Sequence, residues 1–354
     1  MTYEDVTLNG QHAKHFVTGA AGFLGSHIVE KLYAMGQKNI IALDILNCDR
    51  HLDGVQYVRG SVLDRALLLR LTRGVDYIYH NAALVPLTKS GREFYNVNVI
   101  GTRNIVECCR QNKVKRLVHM SSSAIYGIPE EMPITDKTRY APIEAYGQSK
   151  LEGEKEVWQY MEEGGSASCI RPRTIIGGKS RLGIFQILFE WISDGKNIYV
   201  IGEGNNLFQF VHVDDLIDAS IKAAYSNYNG LYNIGAAVYR TLREDLEALC
   251  AYAKTGSKVK SLPVGLTKWG LYLMDKLRLS PLAPWHYLTY HKPFVFDISK
   301  AQRELRWSPR YSNIESFIES YEWYLKNRDT MTDSKSTHKK PVQQKILKIV
   351  KFFS

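Results

Sequence analysis

A tyrosine and a lysine four positions apart, Tyr146 and Lys150, have the side chains needed for proton transfer. On a helix this spacing places both residues on one face. An unperturbed phenol titrates near ~10 and is a poor base at neutral pH, but a nearby lysine cation favours its phenolate form. Tyr146 could then remove the proton of a substrate hydroxyl while hydride leaves the same carbon. The alternative is an amphipathic helix whose surface residues do no chemistry.

Three serines, Ser121, Ser122 and Ser123, lie ahead of this pair, directly after an apolar run at 116–120. A serine hydroxyl at the end of a strand can hold a substrate oxygen and orient it for Tyr146. We expect Ser123 to have this role, with Ser122 as the second choice. The alternative is that all three serines only satisfy backbone groups of the turn.

A glycine-rich stretch at Thr18–Gly25 predicts a binding site for the acceptor of that hydride. It follows a short apolar run and precedes a helical pattern, and this order of strand, turn and helix gives the glycines their meaning. Gly19 allows the tight turn, Gly22 lets the backbone approach a pyrophosphate, and Gly25 lets the helix pack on the strand. The unpaired N–H groups of the helix N-terminus face the phosphates. The stretch therefore predicts a dinucleotide site.

An aspartate at the end of the second predicted strand selects between dinucleotides. Asp44 follows Gly25 at the distance where a carboxylate accepts hydrogen bonds from the adenosine ribose and repels a 2′-phosphate. The next residue is Ile45 rather than an arginine. The sequence therefore predicts NAD rather than NADP as the cofactor.

The elements that must position these residues alternate along the first half of the chain. Short β-rich runs lie at 15–18, 39–43, 56–58, 75–79, 116–120 and 167–171, and helical patterns lie at 23–35, 64–73, 93–112 and 144–163. This alternation predicts an α/β fold with a doubly wound parallel sheet of Rossmann type, whose ligands bind beyond the carboxyl ends of the strands. We assign 14–172, with return elements at about 207–235, to an NAD-binding domain.

The pattern changes after Pro172, and it predicts a smaller, discontinuous α/β lobe at 173–206 and 236–327 that covers the substrate. Within 266–277, apolar or small residues recur at helical spacing: Leu266, Trp269, Gly270, Leu273, Met274 and Leu277. Such a stripe usually belongs to a hydrophobic core, which is our expectation here. The alternative is the wall of an apolar substrate pocket.

Charge and cysteine content limit the class of protein. The net charge is +10, but about half of it comes from the lysines after Thr330, and no basic stripe follows a recognition helix, so we expect no nucleic-acid binding. The five cysteines form no CxxC pair, which indicates reduced thiols in a cytoplasmic protein and neither a disulfide framework nor a metal site. We also expect no secretion signal and no membrane-spanning helix.

A basic tail at 328–354 carries one further pattern. After Pro341, apolar and lysine side chains separate onto opposite faces of a predicted helix at 341–353. This separation is typical of a helix that lies on a membrane surface. The alternative is a helix docked on the body of the protein or on a second subunit, so the sequence leaves peripheral membrane contact open.

These motifs together resemble the extended short-chain dehydrogenases/reductases, in the group of NAD-dependent epimerases and dehydratases. The resemblance covers about 15–325 and rests on Thr18–Gly25, Asp44, His80–Ala83, Asn98, Ser121–Gly127, Tyr146–Lys150, Arg171-Pro172, Phe210–Leu216 and Leu305–Pro309. It implies a hydride-transfer enzyme that binds a small-molecule substrate. Relatives of this kind often pair as homodimers through the helices that correspond to 93–112 and 144–163.

The resemblance also implies roles for individual residues. Ser123, Tyr146 and Lys150 match the catalytic trio. Ser61 stands where the family usually has an aspartate that meets the adenine amino group, so it would accept that bond more weakly. The full cofactor set is Gly19, Gly22, Phe23, Leu24, Gly25, Asp44, Ser61, Val62, Asn81, Ala82, Ala83, Asn98, Ser121, Tyr146 and Lys150.

Departures from the family pattern leave the substrate open. Dehydratases of the group need a carboxylate pair within the strand-end serine motif, where this chain has serine and alanine, and this disfavours water elimination. Nucleotide-sugar enzymes usually hold the diphosphate with an arginine where this chain has 207–209, Leu-Phe-Gln. The missing charge could come from Arg173, Lys179 or Arg181.

Three functions are therefore weighed. The first is oxidation of a secondary alcohol of a nucleotide sugar, with hydride returned to the other face by an epimerase or with release of the ketone. The second is a dehydrogenase resembling 3β-hydroxysteroid or sterol dehydrogenases, for which the stripe at 266–277 and the basic tail suit a membrane-dissolved substrate. The third is an NAD-binding sensor without catalysis, which the intact Ser123, Tyr146 and Lys150 disfavour.

Overall fold

The computed structural model describes residues 13–48, 51–85, 91–178, 185–276 and 284–330. Within them the strands are β1 His15–Thr18, β2 Ile40–Asp44, β3 Val55–Arg59, β4 Tyr77–His80, β5 Arg116–Met120, β6 Ala167–Pro172, β7 Thr174–Ile176, β8 Ile198–Ile201, β9 Phe210–His212, β10 Gly230–Ile234 and β11 Val259–Leu262. The helices are α1 Phe23–Ala34, α2 Arg65–Leu71, α3 Gly101–Asn112, α4 Ala145–Glu162, α5 Phe185–Ser193, α6 Val213–Ala224, α7 Leu242–Ala253, α8 Val264–Lys276, α9 Pro284–Thr289, α10 Ser299–Glu304 and α11 Asn313–Asn327. Shorter helical segments lie at Glu93–Tyr95, Ser123–Tyr126 and Arg328–Thr330, and a π-helical segment at Asn96–Ile100 leads into α3.

Seven of the described strands form one parallel sheet, in the order β3-β2-β1-β4-β5-β6-β10. Successive residues along these strands enter two different cores, as Phe16 and Val17 do in β1 and Leu117 and Val118 do in β5. One core also contains side chains of α1 and α6, and the other contains those of α2, α3 and α4. Because side chains alternate across a strand, a sheet that is apolar on both faces needs helices on both. The predicted Rossmann-type α/β fold is confirmed.

One predicted return strand pairs differently from our expectation. The stretch Phe210–Leu216 does form a strand that runs into a helix, but β9 lies beside β7 in a separate two-stranded sheet, with Thr174 opposite Phe210. The position next to β6 is taken by β10, whose Gly230 lies opposite Ser168. Because β10 occupies that edge of the sheet, β9 does not join the seven-stranded sheet and pairs with β7 instead.

The residues after β6 build a second group of elements around the pair β8–β11 and the helices α5 and α7. α7 begins at a capping box, in which Thr241 and Glu244 satisfy each other's backbone N–H groups. Buried side chains of α5, α7 and α11 belong to the same core as α1 and α6. The lobe therefore packs directly on one face of the sheet. The domain boundaries themselves stay a prediction.

The apolar stripe at 266–277 is not part of the core, and that prediction is wrong for its described residues. In α8, Leu266 is 70% exposed, Trp269 is 65% exposed and Leu273 is 43% exposed. Helical spacing correctly gave an apolar face. The short helix α9 packs against α8, but within the described residues it does not cover that face. The pocket-wall alternative stays untested, and Leu277 lies outside the described residues.

Three further predicted features lie outside the described residues: Lys179, Arg181 and the helix at 341–353. Among the helices that the structure describes, none combines the length and the hydropathy needed to cross a bilayer.

Candidate active site

The glycine turn after β1 has the shape that a dinucleotide phosphate needs. Gly19 has φ +69°, and a Cβ there would lie 2.9 Å from the backbone nitrogen of Ala82. A Cβ at Gly25 would lie 2.1 Å from the carbonyl oxygen of Gly19, so only glycine lets α1 approach the turn this closely. The N-cap Gly22 makes no side-chain cap, and the first turn of α1 has no acidic residue. The N-terminal N–H groups of α1 are thus suited to an anion, which fits a dinucleotide here.

Asp44 ties the glycine turn to the end of β2. Its Oδ2 accepts a hydrogen bond from the N–H of Ala21 at 3.0 Å, and its Oδ1 accepts one from Leu46 at 2.9 Å. The carboxylate therefore stands between the first and second strands, where the adenosine ribose is expected to lie.

Ser61 and Val62 follow β3, and the structure separates their roles. The hydroxyl oxygen of Ser61 accepts a hydrogen bond from Leu63, and Val62 is buried. A Cβ at Gly101, in α3, would lie 2.7 Å from Cγ2 of Val62, so this valine packs against that helix. The predicted adenine contact of Ser61 and the predicted cofactor contact of Val62 stay predictions.

The loop after β4 is fastened to the end of β1. The Thr18 hydroxyl oxygen accepts hydrogen bonds from the N–H groups of Asn81 and Ala82, both at 3.2 Å, and lies 2.8 Å from Nδ1 of His80. Burial lowers the pKa of His80 to about 3, with a further contribution from the charge of Lys150. His80 is therefore a neutral hydrogen-bonding group. The segment that contains Asn81, Ala82 and Ala83 is held beside the glycine turn.

Helix α4 brings Tyr146 and Lys150 to the carboxyl edge of the sheet. A Cβ at Gly147 would lie 2.6 Å from the carbonyl oxygen of Ala124, so the first turn of α4 sits directly on the segment that follows β5. The ammonium of Lys150 is buried and donates to the carbonyl oxygen of Met120, the last residue of β5. Burial lowers the pKa of Lys150 to about 8. Tyr146 is half-buried in that first turn.

Asn98 connects α4 to the loop after β4. It lies in the π-helical segment before α3, is buried, and its amide nitrogen donates to the hydroxyl of Ser149 at 2.9 Å. Its side-chain oxygen accepts from the N–H of Leu84 at 2.8 Å. A Cβ at Gly153 would lie 2.4 Å from the Asn98 carbonyl oxygen. π-Helical segments are frequent at functional sites, and this one holds α4 against the loop that follows β4.

The three serines after β5 have three different partners. The Ser121 hydroxyl is bonded to the buried carboxylate of Glu154, and the Ser122 hydroxyl oxygen accepts the N–H of Ala124 as a cap of the following turn. The Ser123 hydroxyl oxygen accepts a hydrogen bond from Nη1 of Arg173 at 3.2 Å. The turn-capping alternative thus describes Ser122, and Ser123 faces the residues that follow β6.

A buried ion pair behind the serines was not predicted from the sequence. Arg171 and Glu154 are both inaccessible to water, and Nε of Arg171 donates to the two carboxylate oxygens at 2.9 and 3.2 Å. The same guanidinium donates to the hydroxyls of Tyr126 at 2.7 Å and Tyr140 at 2.9 Å. Glu154 lies four residues after Lys150, so the i, i+4 spacing of α4 could have suggested that it faces the same interior.

Arg173 is also buried, but its surroundings are different. Its Nε donates to the carbonyl oxygen of Gln209 at 3.0 Å, and its guanidinium lies 4.0 Å from the ring centroid of Phe294 and 4.8 Å from that of Phe208. Within the described residues, Nη2 has no hydrogen-bond partner. Burial lowers the pKa of Arg173 to about 9, so the group is still protonated at neutral pH.

A family model described as the NAD dependent epimerase/dehydratase family matches residues 15–235. An uncharacterised protein of Sinorhizobium fredii is 40% identical over 95% of this chain and 85% of its own length. A UDP-glucose 4-epimerase of Lactobacillus helveticus is 29% identical over 88% of this chain and 97% of its own length. A human sterol-4-alpha-carboxylate 3-dehydrogenase, decarboxylating, is 33% identical over 59% of this chain and 56% of its own length.

A solved structure of similar fold is UDP-glucuronic acid 4-epimerase from Bacillus cereus in complex with NAD. It superposes with a TM-score of 0.69 at 22% identity, covering 88% of this chain and 99% of that chain.

Proposed function

Because the chain belongs to the NAD-dependent epimerase/dehydratase family, we propose that it oxidises a secondary alcohol of a nucleotide sugar. The chain is an enzyme of the extended short-chain dehydrogenase/reductase class, and its cofactor is NAD. The proposal concerns the substrate and the residues that act on it. The substrate is supported by the likeness to a UDP-glucose 4-epimerase over 88% of this chain. The catalytic residues are supported by the position of Lys150, whose buried ammonium donates to the carbonyl oxygen of Met120 at the carboxyl end of β5.

Each proposed catalytic residue has a separate task. NAD, when bound, would supply the acceptor for the hydride of the substrate carbon. Tyr146 takes the hydroxyl proton, and the buried charge of Lys150 lowers the free energy of the phenolate. Ser123 holds the same substrate oxygen through its hydroxyl and so fixes the geometry of proton transfer. Return of the hydride to the opposite face gives an epimer without net NADH.

The test is Tyr146→Phe, which removes the proton acceptor and keeps the ring. We expect NAD binding and melting temperature to be retained and epimerisation of UDP-glucose to fall by about 10²–10⁴. Tyr228→Phe is the matched control. Tyr228 is 57% exposed and precedes β10, so it lies at the amino end of that strand and away from the carboxyl ends where the site is. Full activity of Tyr146→Phe would contradict the proposed base. NAD binding without turnover in the unaltered protein would favour the sensor.

A second candidate, a sterol-type dehydrogenase that oxidises an apolar secondary alcohol, is favoured by the exposed face of α8. This face consists of Leu266, Trp269, Tyr272 and Leu273, and it belongs to the lobe that we propose covers the substrate. A dehydrogenase releases its ketone, so it would form one NADH for each sterol oxidised. Stoichiometric NADH with a sterol and none with UDP-glucose would select this candidate.

We also propose that the exposed face of α8 rests on an anionic bilayer. Tryptophan, tyrosine and lysine are enriched where proteins meet lipid headgroups. The ammonium of Lys276 lies 4.9 Å from the Tyr272 ring centroid. The pKa of His291 is lowered mainly by burial and also by the charges of Lys268 and Lys292. A basic cluster therefore adjoins this face. The lysines of the tail at 341–353 would be repelled by that cluster, so we do not expect the tail to dock on α8. We propose that the tail binds the same membrane separately from α8.

Sedimentation with vesicles tests this surface. We expect binding to vesicles that contain an anionic phospholipid, weaker binding to purely zwitterionic vesicles, and a clear loss for Leu266→Ser with Trp269→Ser. Val238→Ser is the control, since Val238 is a 65% exposed apolar residue outside α8. Equal recovery of all forms in the supernatant would contradict membrane binding by α8. Deletion of 341–354 measures how much of the vesicle binding depends on the tail.

A homodimer remains part of the proposal. Helices α3 and α4 pack side by side and are joined by the surface pairs Arg103–Glu156 and Arg110–Glu163. We propose that these two helices meet their copies in a second subunit. Light scattering on the purified protein measures the mass directly, and a monomer at micromolar concentration would contradict it.

A further inference from the structure

Arg173 is a buried cation that has no counterion among the residues that the structure describes. It is 1% exposed, and its neighbours are the rings of Phe208, Phe294 and Phe296, one backbone carbonyl and one serine hydroxyl. None of the described carboxylates forms an ion pair with it, although charged side chains are almost never fully buried unless they are paired. A buried guanidinium is costly when one of its nitrogens has no acceptor, as Nη2 has none among the described residues. A ligand that brings a negatively charged acceptor to Nη2 would remove this cost.

The position of Arg173 limits where that ligand atom can lie. Its Nη1 donates to the hydroxyl of Ser123, the serine that we propose holds the reacting oxygen. The unpaired Nη2 belongs to the same planar group, so an acceptor on it lies next to the reacting carbon. The diphosphate of a nucleotide sugar is a whole sugar ring away from such a carbon. Arg173 is therefore badly placed to supply the diphosphate charge that the sequence suggested for it.

The surroundings also favour one kind of anion. A guanidinium pairs best with a planar carboxylate, through two parallel hydrogen bonds. A phosphoryl group would present three oxygens, but the phenylalanine rings around Arg173 offer no further donors. A carboxylate would satisfy Nη2 and neutralise the buried charge at the same time.

We infer that the substrate is a β-hydroxy acid, with its reacting hydroxyl on Ser123 and Tyr146 and the carboxylate of the adjacent carbon paired with Arg173. This inference rests on the proposed function, and it narrows the substrate within either candidate class. A uronic acid carries its carboxylate next to the 4-hydroxyl, and a 4-carboxysterol carries it next to the 3-hydroxyl. The carboxylate is the shared chemistry, and the two carriers are distinguished by experiment.

The test compares matched substrates on the NAD-loaded protein by titration calorimetry and thermal shift. One pair is UDP-glucuronic acid against UDP-glucose, and the other is a 4α-carboxysterol against its 4α-methyl counterpart. We expect the protein to bind the acid of one pair about 10- to 100-fold more tightly than the neutral compound, as a charged hydrogen bond gives. The pair that shows the preference identifies the carrier.

Arg173→Met assigns this preference to the guanidinium. Methionine keeps the contact with the phenylalanine rings and removes the charge. Both compounds lose the bond that Arg173 gives to Ser123, but only the acid loses its ion pair, so the ratio of the two affinities should fall towards one. Arg173→Lys keeps the charge without the fork, so it should restore part of the preference. A melting curve for each variant verifies that it is folded.

The inference falls if the unaltered protein binds no acid more tightly than its neutral partner, whether both bind or neither does. It also falls if Arg173→Met retains the preference. The proposed function is judged separately: turnover of UDP-glucose that depends on Tyr146, without preference for the acid, would leave that function standing and remove the β-hydroxy acid.

Discussion

Arg171 and Arg173 lie two residues apart at the end of β6, and both are buried. Within the described part of the chain, only Arg171 forms an ion pair with a carboxylate. Arg171 donates to Glu154 and to two tyrosine hydroxyls, and the charge of Glu154 raises its pKa against the effect of burial. Arg173 donates to one carbonyl and one hydroxyl, and burial lowers its pKa to about 9. The two side chains leave the chain two residues apart at the carboxyl end of β6, and they meet opposite environments.

The difference separates a structural cation from a functional one. The Arg171–Glu154 pair joins β6 to α4, and through Ser121 it also reaches the end of β5, so it fixes the elements that carry Tyr146 and Lys150. Its hydrogen bonds are complete inside the chain. Arg173 keeps one donor group open beside Ser123, which is a cost to the folded protein that only a bound anion repays.

The strongest way to break this comparison is to remove the counterion of Arg171. Glu154→Gln would leave the guanidinium buried without a negative partner, which typically costs about 3–5 kcal/mol of the free energy of unfolding. Urea denaturation followed by circular dichroism measures that loss.

Glu156→Gln is the matched control on the same helix. Glu156 pairs with Arg103 at 2.7 Å on the surface, where such a pair contributes at most about 1 kcal/mol. Equal losses in the two variants would mean that the buried pair does not stabilise the site as argued.

The second prediction has the opposite sign. Arg173→Met replaces an unpaired buried cation with an apolar side chain of similar length, so the free energy of unfolding should stay constant or rise by about 1–4 kcal/mol. The same denaturation experiment without ligand measures it. A loss as large as that of Glu154→Gln would show that Arg173 is structural like its neighbour, and the β-hydroxy acid would lose its support.

Local patterns predicted one half of this region and not the other. The glycine turn, the doubly wound parallel sheet and the placement of Tyr146 and Lys150 on a helix follow from spacings within single elements, and the fold confirms the elements. The difference between Arg171 and Arg173 depends on Glu154, 17 residues before Arg171, and on Phe294, more than a hundred residues later. Spacing along a strand does not contain those long-range contacts.

The same limit explains the two corrections in the elements that follow β6. The apolar spacing of α8 predicted a face, but whether a face is covered depends on what packs beside it, and α9 leaves Leu266 and Trp269 in water. Phe210–Leu216 was expected to form a return element of the NAD-binding domain. Its strand β9 pairs with β7, because β10, which comes later in the chain, occupies the edge of the sheet beside β6.

The smallest predicted effect comes from His15. Among the described residues, Arg171 is buried with a counterion and Arg173 without one, whereas His15 is buried in its neutral form. His15, at the start of β1, is inaccessible to water, and burial lowers its pKa from 6.5 to about 4. Between these pH values the unfolded chain holds a proton that the folded chain does not, so the free energy of unfolding falls as the pH falls from 6.5 to 4. His15 alone accounts for a slope of at most about 1.4 kcal/mol per pH unit.

His15→Phe isolates that contribution, because the ring keeps its contact with Tyr77 and cannot be protonated. We expect a shallower dependence of the free energy of unfolding on pH in this window and no difference in slope above pH 7, where His15 is neutral in both states. Urea denaturation at pH 5, 6 and 7.5 measures the slopes. Parallel curves for the two proteins would mean that His15 is charged in the fold, and burial of a cation would then be tolerated here without the partner that Arg171 needs.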